Sequence, residues 1–196
     1  MPFGAGRSCY LPPVIVLVHG YDGSGPGHWQ HWLNDELRAR GAHVVFPDLP
    51  SPLEPERDVW VEALARVVAD AEPGSVTLVA HSLGCWAVDH YVARHGTSKL
   101  RAVLLVAPPS AYSLFEPIQS FLPPPRSRDA WAPIRERTLL VGSDDDEYAS
   151  DDEFVEVAEA IDVPVEILPG LGHINLASGF GPFPKALEWL ERVGAL

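Results

Sequence analysis

Cysteine is scarce: Cys9 and Cys85 are the two in 196 residues. So few exclude a disulfide framework and a cysteine-based zinc module. Cys85 falls in the first turns of a predicted helix, where a reduced, buried packing role is expected. Basic side chains are also few, 14 Lys plus Arg against 27 Asp plus Glu, for a formal net charge of −13. Nucleic acid and anionic membranes both need a basic footprint, so neither is expected as a partner. Long apolar runs are missing. Runs such as Val14 to Val18 are far too short to cross a bilayer. Met1 to Pro13 carries one arginine and no apolar core of signal-peptide length, which makes the cytoplasm the expected location. No charge block or low-complexity tract points to disorder.

What is present is a hydrophobic content of 46%, enough for one domain that buries roughly two thirds or more of its unfolded surface. That domain is expected over residues 13–196, after an N-terminal extension of residues 1–12. Short, nearly continuous apolar runs mark strands at Val14–Val18, Ala42–Phe46, Val76–Ala80, Ala102–Val106, Thr138–Val141 and Val163–Leu168. They lack clean alternation, as strands covered on both faces do. Amphipathic stretches between them mark helices at Gly27–Arg40, Glu56–Ala71, Leu83–His95, Asp151–Ile161 and Pro182–Val193. The order predicts an α/β fold: a single-domain, doubly wound, mostly parallel six-stranded sheet. Ligands of such sheets bind outside the carboxyl ends of the strands. One segment breaks the rhythm. Pro108 to Pro133 holds seven prolines and several aromatics, and is expected to wall the active site.

The stretch Val76-Thr77-Leu78-Val79-Ala80-His81-Ser82-Leu83-Gly84-Cys85-Trp86 reads as a strand, a sharp turn and a helix, with Ser82 at the tip. Such a turn holds the hydroxyl clear of its own backbone and sets helix amides behind it. A hydroxyl is a weak nucleophile until a base takes its proton, so a base and an orienter are required. Two more polar sites follow predicted strands: Gly142 to Glu147 after the fifth, and Gly170-Leu171-Gly172-His173 after the sixth. Hydroxyl, carboxylate and imidazole can therefore converge above one sheet edge.

Eight histidines compete for the base role. His28 and His31 resemble a metal pair but have no third ligand nearby in sequence, so no metal is expected. His43 opens a strand, and His90 and His95 lie down the helix, away from the turn. His19 and His81 read as hydrogen-bonding scaffold. His173 alone both follows a glycine and comes late enough in the chain to return over Ser82, since His28, after Gly27, lies near the start. For the acid, Asp144, Asp145 and Asp146 are contiguous, and at most one or two can point inward; packed together around one imidazole they would raise one another's pKa. The glycine-rich run from His19 to Trp29 lacks both phosphate-binding glycine signatures, so no nucleotide cofactor is expected. Backbone amides of Tyr21 and Leu83 are instead expected to face a developing oxyanion.

These pieces resemble the α/β-hydrolase superfamily, and within it the small serine hydrolases related to retinoblastoma-binding protein 9 and the bacterial YdeN-like proteins. The resemblance runs from Pro13 onward. It rests on Gly25-Pro26-Gly27-His28-Trp29-Gln30, Ala80-His81-Ser82-Leu83-Gly84-Cys85, Val141-Gly142-Ser143-Asp144-Asp145-Asp146 and Gly172-His173-Ile174-Asn175, with Ser178 to Pro182 following. It implies Ser82 as nucleophile, His173 as base and Asp146 as acid, with Asp145 the runner-up. It also implies a minimal sheet without a separate cap domain. The chain departs from the pattern at Ala80, where a glycine is usual, and at Glu147, where relatives often have proline.

The expected function is a metal-independent, cofactor-free serine hydrolase. It would cleave a carboxylic ester or related acyl bond of a small-molecule substrate through an acyl-enzyme. Tyr21, Trp29 and part of the Pro108–Pro133 segment are expected to line its pocket, with His28 near the rim. The rival is a non-catalytic binding module on the same fold; a protein partner is compatible with the sequence but not readable from it. A C–C hydrolase, haloperoxidase or amidase is a third reading. Ser82 rules out haloalkane dehalogenation, which needs a carboxylate at the turn.

Overall fold

The computed structural model describes residues 13–196. The expected extension, residues 1–12 with Cys9, lies outside them. Six strands form one sheet: β1 Val14–Val18, β2 His43–Val45, β3 Val76–His81, β4 Leu100–Val106, β5 Thr138–Ser143 and β6 Val165–Leu168, in the order β2-β1-β3-β4-β5-β6. Every pairing is parallel. The helices are α1 Trp29–Ala39, α2 Arg57–Val67, α3 Leu83–His95, the short α4 Arg128–Trp131, α5 Asp151–Ile161 and α6 Pro184–Arg192. None among the described residues is long and apolar enough to cross a membrane.

The predicted α3 and α5 coincide with the observed helices, whereas several other ends move inward for local reasons. Gly27 has φ +90°, which no helix accepts, so α1 starts two residues later behind the His28 cap. Pro164 delays β6 to Val165, and Pro184 rather than Pro182 takes the first turn of α6.

Alternate strand residues face two separate cores. Val14, Val16 and Val18 point, with Leu78, Ala80, Val103 and Leu105, toward α2, α3 and α5, where Trp60, Trp86 and Phe154 pack. Ile15 and Leu17 point, with Val79, Leu104 and Val141, toward α1 and α6, where Trp29, Leu33 and Leu190 pack. A period of two therefore buries apolar groups on both faces, which is why the strands read as continuous apolar runs.

The Pro108–Pro133 excursion leaves β4, forms a 3₁₀ turn at Glu116–Phe121, passes through α4 and returns to β5. Phe121 and Trp131 anchor it, both fully buried. Asp89 on α3 ties it down from below. Its carboxylate accepts from the Trp131 Nε1–H at 2.8 Å and from the Arg126 amide at 2.9 Å.

Candidate active site

β3 ends at His81, and Ser82 turns the chain into α3 with φ 54° and ψ −129°. A left-handed conformation costs a residue with a side chain about 1–3 kcal/mol. Bonds on both sides maintain it: the Ser82 amide donates to the Val106 carbonyl at 2.9 Å, and its carbonyl accepts from the Cys85 amide at 2.8 Å. Glycine allows the close approaches around it. A Cβ on Gly84 would lie 2.6 Å from the His19 carbonyl oxygen and 2.7 Å from that of Val18, so α3 sits directly on the end of β1. A Cβ on Gly20 would lie 2.7 Å from Ser82 Cβ. The loop after β1 thus runs against the serine.

β5 and β6 bring the other two groups. Nε2 of His173 lies 2.9 Å from Ser82 Oγ, and Nδ1 lies 2.8 Å from Oδ2 and 3.0 Å from Oδ1 of Asp146. An ionised carboxylate only accepts, so Nδ1 carries the proton and Nε2 is left to accept the Ser82 hydroxyl proton. The Asp146 side chain is fully buried and that of His173 is 6% exposed. Both are shielded from competing water. Asp146 is thus the one of the three contiguous aspartates that reaches the imidazole; its Oδ1 also accepts from the Tyr148 amide at 2.8 Å.

Two further imidazoles lie behind His173. The His81 Nε2–H donates to the His173 carbonyl at 3.0 Å, and the His28 ring lies 4.8 Å from the His81 ring. Burial, followed by the nearby His173 and His28, holds His81 well below the usual imidazole range. Burial, then His31 and His173, lowers His28 to about 4. Both are neutral at neutral pH, so neither adds positive charge beside His173. His19 accepts the Leu49 amide at Nε2 (3.0 Å) and meets Trp60 edge-on, as expected of scaffold.

Leu83 opens α3, so its amide belongs to the first turn, where no intrahelical partner exists. Tyr21 follows Gly20 on the adjoining loop, and its ring meets Phe115 of the Pro-rich excursion edge-on at 5.1 Å. Tyr148 stands 4.5 Å from His173 and is half exposed. The sequence reading missed Tyr148, which carries no motif signal beyond following the acidic run.

Two expected pocket residues are corrected. Trp29 is fully buried in the α1/α6 core against Phe183 and His81, and so offers no surface to a substrate. Its Nε1–H is a buried donor without a partner among the described residues. His28 does not stand at a rim either: it is 5% exposed and caps α1, its Nδ1 accepting from the Gln30 amide at 3.2 Å. A cavity of about 410 Å³ opens between the loop after β1 and the residues after β2, walled by Asp22, Ser24, His31, Phe46 and Asp48. Ser82 is not among its lining residues.

Residues 15–192 match the family described as serine hydrolase. The chain belongs to that family. The ydeN gene product of Bacillus subtilis (strain 168) is 24% identical over 178 residues, covering 90% of this chain and 93% of the relative. Its crystal structure superposes with a TM-score of 0.81, covering 94% of this serine hydrolase and 100% of that chain. A YdeN-like protein from Pectobacterium atrosepticum is 29% identical with a TM-score of 0.73, over 93% and 90% of the two chains. The non-heme chloroperoxidase CPO-A1 of Kitasatospora aureofaciens is 47% identical over 100 residues, which span 47% of this chain and 36% of the relative. This serine hydrolase is therefore a small, YdeN-like member with the α/β-hydrolase fold, a hydrolase without a separate cap domain among its described residues.

Proposed function

We propose that this serine hydrolase cleaves carboxylic esters of small molecules through an acyl-enzyme, with Ser82 as nucleophile, His173 as general base and Asp146 as its orienter. The observation that carries the reading is the continuous line from Ser82 Oγ to His173 Nε2 at 2.9 Å and from His173 Nδ1 to Asp146 at 2.8 Å. In the first step His173 Nε2 takes the hydroxyl proton as Ser82 Oγ bonds to the ester carbonyl carbon. The oxyanion that forms faces the amides of Tyr21 and Leu83, each such donor supplying about 2.7–4 kcal/mol of transition-state stabilisation. The C–O bond then breaks, and the imidazolium gives its proton to the departing alkoxide. Water repeats the sequence on the acyl-enzyme and frees the acid. Asp146 stays ionised throughout and stabilises the imidazolium.

Tyr21, Phe115 and Tyr148 are partly or well exposed beside these groups, which favours small apolar acyl chains. The test pairs a fluorophosphonate probe with p-nitrophenyl esters of increasing acyl length. Labelling and turnover that disappear in Ser82→Ala and His173→Ala are expected, with highest kcat/KM for short acyl groups. A well-folded wild type that neither labels nor turns over would favour the binding-module reading. A flat profile across chain length would remove the acyl preference alone.

A further inference from the structure

The three contiguous aspartates pose a problem that one orienting acid does not solve. No residue of the run is basic, and like charges side by side repel. Their hydrogen bonds supply the reason. Ser143 to Asp146 grip Gly170 to His173 across the β5–β6 edge, residue for residue. Asp144 Oδ1 accepts from the Gly170 amide at 2.9 Å, and Ser143 Oγ accepts from the Leu171 amide at 2.9 Å. Asp145 Oδ1 accepts from the Gly172 amide at 2.7 Å and from the Ser143 hydroxyl at 2.7 Å. Asp146 completes the series on the His173 ring.

Parallel pairing between the two strands ends at Ser143 and Leu168, and the Asp144 amide still donates to the Leu168 carbonyl at 3.1 Å. Beyond that point the strand pairing stops. Side-chain oxygens then replace carbonyls as acceptors, so the ladder continues for three more amides. The backbone of His173 itself is tied at both ends, its amide to Ser178 Oγ at 3.0 Å and its carbonyl to His81 Nε2 at 3.0 Å. What remains to be fixed is the approach of the chain to His173, and the Gly172 amide is the last group before it.

We infer that Asp145 is a positioning residue: held by the Ser143 hydroxyl, its carboxylate clamps the Gly172 amide and thereby sets the His173 imidazole between Asp146 and Ser82. The inference rests on His173 being the base. It separates the aspartates by role, since Asp146 acts on the ring and Asp145 on the backbone. The Ser143 hydroxyl and the Gly172 amide also hold the Asp145 carboxyl below its ordinary range, so it accepts as a carboxylate at neutral pH.

A backbone clamp needs an acceptor, whereas an orienting acid needs a charge. Asp145→Asn keeps the acceptor and Asp145→Ala removes it. With p-nitrophenyl acetate, Asp145→Ala should lower kcat about 10–100-fold with KM within about twofold, because misplacing a base by about 1 Å costs on that scale. Asp145→Asn should recover most of the loss, while Asp146→Asn should lose about 10⁴-fold. The downfield proton resonance of His173 Nδ1–H should persist in Asp145→Asn and broaden in Asp145→Ala. Wild-type kcat in Asp145→Ala, or equal losses in Asp145→Asn and Asp145→Ala, would overturn the inference. If the wild type cleaves no ester, the functional reading fails and the clamp is read by hydrogen exchange at the Gly172 amide. Protection lost in Asp145→Ala and kept in Asp145→Asn supports it; unchanged exchange in Asp145→Ala overturns it.

Discussion

Gly20→Ala adds one methyl group at the point where the loop after β1 meets the serine. That methyl would lie 2.7 Å from Ser82 Cβ, 3.1 Å from Ser82 Oγ and 3.2 Å from the His81 carbonyl oxygen. Carbon pairs settle at about 3.5–4.0 Å, so the first contact is short by roughly 0.8 Å or more. Neither neighbour is soft. Ser82 Cβ is one bond from a backbone already at φ 54°, and the His81 carbonyl ends β3. The overlap is relieved by lifting the Gly20–Tyr21 peptide, which carries the Tyr21 amide away, or by turning Ser82 Oγ off its line to His173. Under the proposed mechanism the Tyr21 amide is an oxyanion donor, and losing one such donor costs about 10²–10³ in kcat. Overpacking costs about 1–3 kcal/mol of stability. The assay is kcat and KM on p-nitrophenyl acetate beside the thermal midpoint. Gly25→Ala is the control: the same loop, a φ without strain, and no atom within 4 Å of the added methyl. It should stay within about twofold of wild type. A Gly20→Ala variant with wild-type kcat/KM and unchanged Tm would refute the reasoning, as would equal losses in both variants.

Asp89→Ala should leave the buried Trp131 Nε1–H and the Arg126 amide without an acceptor, at about 1–3 kcal/mol each. Thermal unfolding should show a midpoint lower by several degrees, about 2–4 °C per kcal/mol for a chain of this size. Burial raises the Asp89 carboxyl above its ordinary range, so the folded state binds that proton more tightly than the unfolded one. Its contribution is greatest below the ordinary carboxylate pKa and is lost as pH rises through the folded value; Asp89→Asn should lack this component in urea titrations across that range. His28 has the opposite sign. Its pKa falls from 6.5 to about 4 on folding, so its contribution is full above about 6.5 and is lost as pH drops toward 4. His28→Asn retains a helix-capping side chain but cannot titrate, and should flatten the acid dependence of urea unfolding by on the order of 1–3 kcal/mol. An identical slope in wild type and His28→Asn would dismiss His28 as its source.

The elements were legible wherever chemistry is local. α3 and α5 appear at the expected ends because each has a clear local start, the turn at Ser82 and the Ser150 capping box. The line Ser82–His173–Asp146 was legible as three polar groups that each follow a strand. Trp29 and His28 misled for one reason. An aromatic pair after a glycine-rich loop suits a pocket wall and a helix start equally, and only packing against Phe183 and His81 separates the two. Tyr148 and the amide grips of Ser143, Asp144 and Asp145 had no sequence signal, because each depends on a partner more than twenty residues away or on the direction of one side chain.

By itself the chain's order of residues determined the fold class, the parallel sheet, the sharp serine turn and the three side-chain types that meet there, since each follows from apolar periodicity, turn chemistry and strand-end position. Tertiary structure alone decided which histidines stay neutral behind the imidazole and which aromatics face solvent, and it set Asp146, implied until then only by resemblance, against the ring. Those choices turn on a few ångströms between segments far apart in sequence. No local pattern encodes such distances, because they emerge only when both faces of the sheet are packed.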